Sequence, residues 1–126
     1  MAALTKHLLS EIDAMSGRRF IITSNTASAA NVFHVTREAY PSIDEMWVYA
    51  HNFGASDVQV SFMWGMTSMP TTSATDIAHG VDITIPFKSG RALIFDGVLM
   101  PHSLSAAAYA DVSSSISIDG FVNRIT

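Results

Sequence analysis

Apolar and polar residues alternate with a period of two from residue 18 onward, whereas before it the apolar residues recur at helical spacing. The alternation is clearest in "DVQVSFMW", where Val58, Val60, Phe62 and Trp64 share one face and Gln59 and Ser61 the other. "VDITIPF" repeats it with Val81, Ile83, Ile85 and Phe87 on one side, and "SISIDGFV" with Ile116, Ile118 and Val122. Gly120 in the last segment predicts a bulge or a closely approaching neighbouring backbone. Strands are predicted at 18–24, 31–36, 44–52, 57–65, 80–87, 91–96, 103–110 and 114–123, punctuated by turn sequences such as "YPSID", "NFGASD" and "KSGR". Met46 to Gly65 reads as a hairpin, two strands joined by a short turn. About eight short strands with this punctuation predict an all-β fold, an antiparallel β-sandwich of jelly-roll type. Ahead of them, Leu4, Leu8, Ile12 and Met15 fall at helical spacing, with Thr5 able to cap and Gly17 placed to stop. The expected organisation is a short N-terminal amphipathic α-helix or arm over 1–17 and a single sandwich domain over 18–126.

Two stretches depart from simple alternation. In "MWVYA", Met46, Val48 and Ala50 alternate with Trp47 and Tyr49, so the strand is apolar on both faces. One face belongs to the core; the other calls for cover from a partner, the N-terminal helix or a loop. Covering two aromatic rings contributes several kcal/mol at roughly 25 cal/mol per Å² of apolar surface. The second stretch, "GMTSMPTTSATDIAHG" from Gly65 to Gly80, is too long for a hairpin turn. Its Met66 and Met69 are adaptable apolar groups suited to a protein contact.

Composition agrees with an assembling protein. In 126 residues, 48% are apolar and only 14% charged, against roughly 25% charged in ordinary soluble domains. A net charge of −4 with seven Lys and Arg disfavours nucleic acid, whose phosphates call for a basic face. No run of 18 apolar residues suggests a membrane span, and the N-terminus has no secretory pattern. The absence of cysteine removes disulfides, thiolate zinc sites and cysteine nucleophiles.

Candidate chemistry is thin. The five histidines are never closer than 17 residues, so a metal would require His51, His79 and His102 to converge with Asp82 or Asp96, which no spacing favours. "GVDITIPFKSGRALIFDG" has the glycine and proline rhythm of a cupin without its histidines. No "G-x-S-x-G" elbow or phosphate-binding glycine loop occurs. Asp44 and Glu45 are neighbours on one strand and point to opposite faces, so they cannot act together on one bond. Trp47, Tyr49, Phe53 and Trp64 could form a sugar platform, although Trp64 continues a core face. The expectation is a protein without catalytic, metal-binding or cofactor-binding residues, and without a small-molecule substrate.

"NVFHVTRE", "MWVYAHNFGASDVQVSFMWG", "TIPFKSGRALIFDG" and "ISIDGFVNRIT" together resemble small virion structural proteins of tailed bacteriophages, over roughly residues 31 to 126. Within that group the chain is most similar to head decoration, or cement, proteins. The resemblance implies a small β-rich homo-oligomer, often a trimer, on the exterior of the virion. There it would bind the major capsid protein and clamp the shell against packaged DNA. A receptor-binding or fibre-associated, glycan-gripping module is the alternative, and a cupin-like metalloenzyme a more distant one. Many decoration proteins attach through an extended N-terminal arm, whereas this N-terminus reads as a helix. The expected contact residues are Leu4, Leu8 and Ile12 on that helix, Trp47 and Tyr49 on the two-sided strand, and Met66 and Met69 in the long loop.

Overall fold

The computed structural model of the chain describes residues 4–11, 19–37, 39–67 and 80–126. They form an all-β fold of two antiparallel sheets facing each other across one core. The first sheet holds β1 (Leu4–Leu8), β2 (Phe20–Ile22), β4 (Ile43–Asn52), β7 (Arg91–Pro101) and β9 (Ile116–Ile125). Here β9 lies between β4 on one side and β1 and β2, end to end, on the other, while β7 flanks β4. The second sheet runs β3 (Asn31–Val35), β8 (Ser105–Ala110), β5 (Val58–Met66), β6 (Val81–Ile85).

The core follows the period-two pattern. Met46, Val48 and Ala50 of β4 and Ile116, Ile118 and Val122 of β9 face Val58, Val60 and Phe62 of β5 and Ala106, Ala108 and Ala110 of β8. The rings of Phe33, Phe62, Phe95 and Trp64 meet at steep angles between the sheets, Trp64 lying 4.9 Å from Phe95. Trp64 is therefore a core-side residue, as its parity predicts. Gly120 is the close approach expected there: a Cβ would lie 2.1 Å from the Trp47 carbonyl oxygen, at a φ of +154°.

Two expectations are corrected. Residues 46–65 do not form a hairpin, because β4 pairs with β7 and β9 while β5 pairs with β8 and β6. The turn between them carries the chain from one sheet to the other. Buried Asn52 builds that corner, its Nδ2 donating to the carbonyls of Ser56 and Ile85 at 2.8 Å and its Oδ1 accepting from Gly54 N–H. Alternation is identical for strands that lie side by side and strands that face one another, so pattern alone could not separate the two.

The second correction is at the N-terminus, where 4–8 is a strand and not part of a helix. Leu4 and Leu8 share a face at strand spacing as well as at helical spacing, and the open edge of β9 supplies main-chain partners, pairing Leu4 with Ile125 and Leu8 with Phe121. Ile12, Met15 and Gly17 lie outside the described residues. Among those described, the only helical turn is the short 3₁₀ segment Ala27–Ala29. After β1 the chain crosses to the second sheet. Leu9 is buried in the core, Glu11 N–H bonds the Phe33 carbonyl at 3.3 Å, and Val35 N–H bonds Ser10 Oγ at 2.7 Å.

Candidate interaction face and buried clamp

Because Met46, Val48 and Ala50 occupy the inner side of β4, Glu45, Trp47 and Tyr49 project from the outer side of the first sheet. Cross-strand pairing extends that face in both directions. Trp47 lies opposite Phe121, Glu45 opposite Asn123 and Tyr49 opposite Asp119 on β9. Beyond β9, Leu8 stands opposite Phe121 and Leu4 opposite Ile125; on β7, Leu99 stands opposite Glu45 and Leu93 opposite Tyr49.

The aromatic rings here are partly covered by long polar side chains. Trp47 and Phe121 are parallel within 9°, with centroids 6.2 Å apart. The Lys6 ammonium sits 4.3 Å from the Phe121 centroid, and the Arg91 guanidinium 3.6 Å from that of Tyr49. Such pairs keep the charge wet while the alkyl stem shields the ring. Arg91 also bridges Asp119 at 2.9 Å. Trp47 Nε1 donates to Glu45 Oε1 at 2.8 Å and Asn123 Nδ2 to the same oxygen at 3.0 Å. The Trp47 bond, then that of Asn123, holds the Glu45 carboxyl below its usual range. Around this centre Leu4 is 68% exposed, Leu99 56%, and Leu8 and Leu93 are also open. The face is apolar at its rim, ring-lined at its middle and nearly neutral in charge.

Four of the residues expected to make contacts, Leu4, Leu8, Trp47 and Tyr49, are thus brought onto one surface. Met66 is not, since it ends β5 in the second sheet and is only 5% exposed. Ile12 and Met69 lie outside the described residues, as does His79. His51 and His102 do not converge: they lie at opposite ends of the β4–β7 ladder, roughly 25 Å apart at about 3.3 Å per residue. His51 sits by the Gly90 carbonyl and His102 against the Tyr40 ring. Asp82 accepts from Ser61 on the second sheet, while Asp96 stands opposite Trp47. Among the described residues no three potential ligands gather as a metal requires.

A buried polar cluster was not foreseen. His34 is fully buried, its Nε2 lies 2.7 Å from Asp44 Oδ2, and its Nδ1 accepts from Ser10 N–H at 2.9 Å. Since Nδ1 accepts, Nε2 carries the proton and donates to Asp44. Arg124 closes the other side of the carboxylate, Nε to Oδ1 at 2.8 Å and Nη2 to Oδ2 at 3.0 Å. Burial alone would raise the Asp44 carboxyl, but the bonds from His34 and Arg124 and the guanidinium charge hold it far below the usual carboxylate range. Half of this cluster was legible, because Asp44 and Arg124 share the inward parity of Met46 and Val122. His34 was not: a bulge between Val32 and His34 turns it inward beside Phe33, against strict alternation. The cluster ties together β3, β4, β9 and the segment after β1, which makes it a structural clamp between the sheets. No protein-family model, characterised protein or solved structure matches the chain.

Proposed function

We propose that this chain is a jelly-roll subunit of a virion, a decoration or cement protein that binds the outer surface of a tailed-phage head and stabilises the shell. The observation that carries the reading is the outer face of the first sheet, where Leu4, Leu8, Leu93 and Leu99 stay exposed around the half-covered rings of Trp47, Tyr49 and Phe121. Apolar surface that folding leaves open in this way marks a protein contact. The strand order supports a jelly roll: β1 and β2, β9, β4, β7 over β3, β8, β5, β6 is the order that two Greek keys produce. The resemblance to phage virion proteins supplies the partners, the major capsid protein and further copies of the chain, most simply as a trimer. Modest contacts suffice on a lattice, where many act together.

The test pairs solution mass with co-sedimentation on capsid shells for the parent and for a Leu8→Asp, Leu99→Asp double variant. The parent is expected to be oligomeric and to sediment with shells, while the variant keeps its fold, becomes monomeric and stays in the supernatant. Equal binding by both would refute the face as the contact. A second reading draws on the parallel Trp47 and Phe121 rings flanked by Glu45 and Asn123, a surface chemistry that also suits sugars. Saturable binding on a glycan array, lost with Trp47→Ala, would favour a fibre-associated module instead.

A further inference from the structure

Among the described residues, the segment Leu9–Glu11 is tied to β3 and its flank, and one of these bonds ends on a buried imidazole ring. Ser10 N–H donates to His34 Nδ1 at 2.9 Å, Val35 N–H to Ser10 Oγ at 2.7 Å, and Glu11 N–H to the Phe33 carbonyl at 3.3 Å. Leu9 is buried beside them, whereas β1 is exposed along its whole length and pairs only with β9. We propose that Leu9–Glu11 is a proton-controlled strap: protonation of His34 at Nδ1 expels the Ser10 amide, withdraws Leu9 from the core and loosens β1 from the edge of β9.

The chemistry follows from the tautomer. In the closed form Nε2–H is committed to Asp44 and Nδ1 has only a lone pair to give, which Ser10 takes. A proton on Nδ1 places two donors head to head at a ring that is itself fully buried. With the strap open, water accepts that proton's hydrogen bond, so the open form can hold a proton that the closed form has no place for. Opening therefore takes up one proton, and acid shifts the equilibrium toward the open form by up to about tenfold per pH unit.

The surroundings of His34 hold other charges. Asp44 on β4 and Arg124 on β9 bond each other as well as completing the site, and remain paired in the open form. Glu11 on the strap is bridged by Arg37 at 2.8 Å. Across from His34, β8 presents only Ala106, and β7 presents Met100 opposite Asp44. Among the described residues, another imidazole on the same side is His7 on β1, opposite Val122 and bonded to Thr5.

Amide hydrogen exchange tests the proposal, with protection factors compared at about pH 7.5, 6.5, 5.5 and 4.5. Protection of Glu11 and of the β1 amides is expected to fall as the pH is lowered through this series, by up to about tenfold per unit, while β4 and β5 keep theirs. His34→Gln, which cannot titrate, is expected to abolish the acid response, and His7→Gln to leave it intact. In the parent protein, nitrogen NMR of His34 is expected to show Nδ1 unprotonated near pH 7.5 and protonating as Glu11 loses protection. This reading needs no variant. The proposal fails if protection is flat across the range, if His34→Gln responds like the parent, or if His7→Gln removes the response. It fails equally if the ring protonates with Glu11 still protected.

Discussion

The two sheets treat their outer faces differently. On the second sheet, Met63 and Ala107 point away from the core, yet both are buried, packed with Ala30, Val32 and Tyr109. The chain thus covers its own apolar groups there, and the rest of that face is polar, with Ser61 donating to Asp82. On the first sheet the outer apolar groups are larger, and what covers them is the stems of Lys6 and Arg91. Those stems shield ring faces and leave the leucines at the rim open. A face that folding has already covered contributes to stability. One that folding leaves half covered contributes little until something binds it, so mutations in the two should divide between stability and association.

The sharpest way to break this contrast is to remove the platform under it. Gly120→Ala would drive a Cβ into the Trp47 carbonyl and force β4 and β9 apart, an expected loss of about 4 kcal/mol or more, read as failure to fold or a collapsed urea midpoint. Next comes the clamp on which both faces depend. Asp44→Asn leaves Arg124 without its carboxylate and is expected to cost about 3 kcal/mol in urea unfolding near neutral pH. The sign with pH follows from its depressed folded value. The unfolded chain takes up the proton first, near the ordinary 3.8, so the Asp44 contribution is complete above that value and declines as pH falls below it. Urea melts at about pH 6 and pH 3 should show a larger drop for the parent than for Asp44→Asn.

Smaller effects separate the two faces directly. Met63→Ala, on the covered face, is expected to lose about 2 kcal/mol of stability with no change in solution mass or capsid binding. Trp47→Ala, on the half-covered face, is expected to cost only about 1 kcal/mol in the monomer while lowering association, seen by sedimentation. Arg91→Ala removes a half-exposed bridge to Asp119 and a ring contact, and should cost less than about 1 kcal/mol, shrinking further in high salt. If Trp47→Ala proved as destabilising as Met63→Ala and left association unchanged, the contrast between the faces would collapse.

Much of this was open to inspection in the chain itself. All eight expected strands are present, seven of them within two residues of their expected ends, while the one expected over 91–96 runs on to Pro101; the inward sides of β4, β5 and β9 follow their parity. The two-sided character of "MWVYA" pointed to the face that Trp47 and Tyr49 now define. Met66 looks available for contact because it borders a long loop, whereas it ends β5 at only 5% exposure. Leu4 and Leu8 lie beside Trp47 and Tyr49 on one face, but as part of a strand and not a helix, since a spacing of four satisfies both a helix turn and a strand face.

Sequence alone therefore determined the period, the inward side of the strands that obey it, and the presence of an apolar side left over on β4. Those are local properties, set by which side chains avoid water. Tertiary structure decided which strands pair, that 46–65 turns a corner between sheets, that β1 is a strand, and that His34 points inward. Each of these depends on main-chain hydrogen bonds made between residues far apart in the chain. Backbone partners carry no side-chain signature, so only the assembled sheets reveal which edge each strand completes.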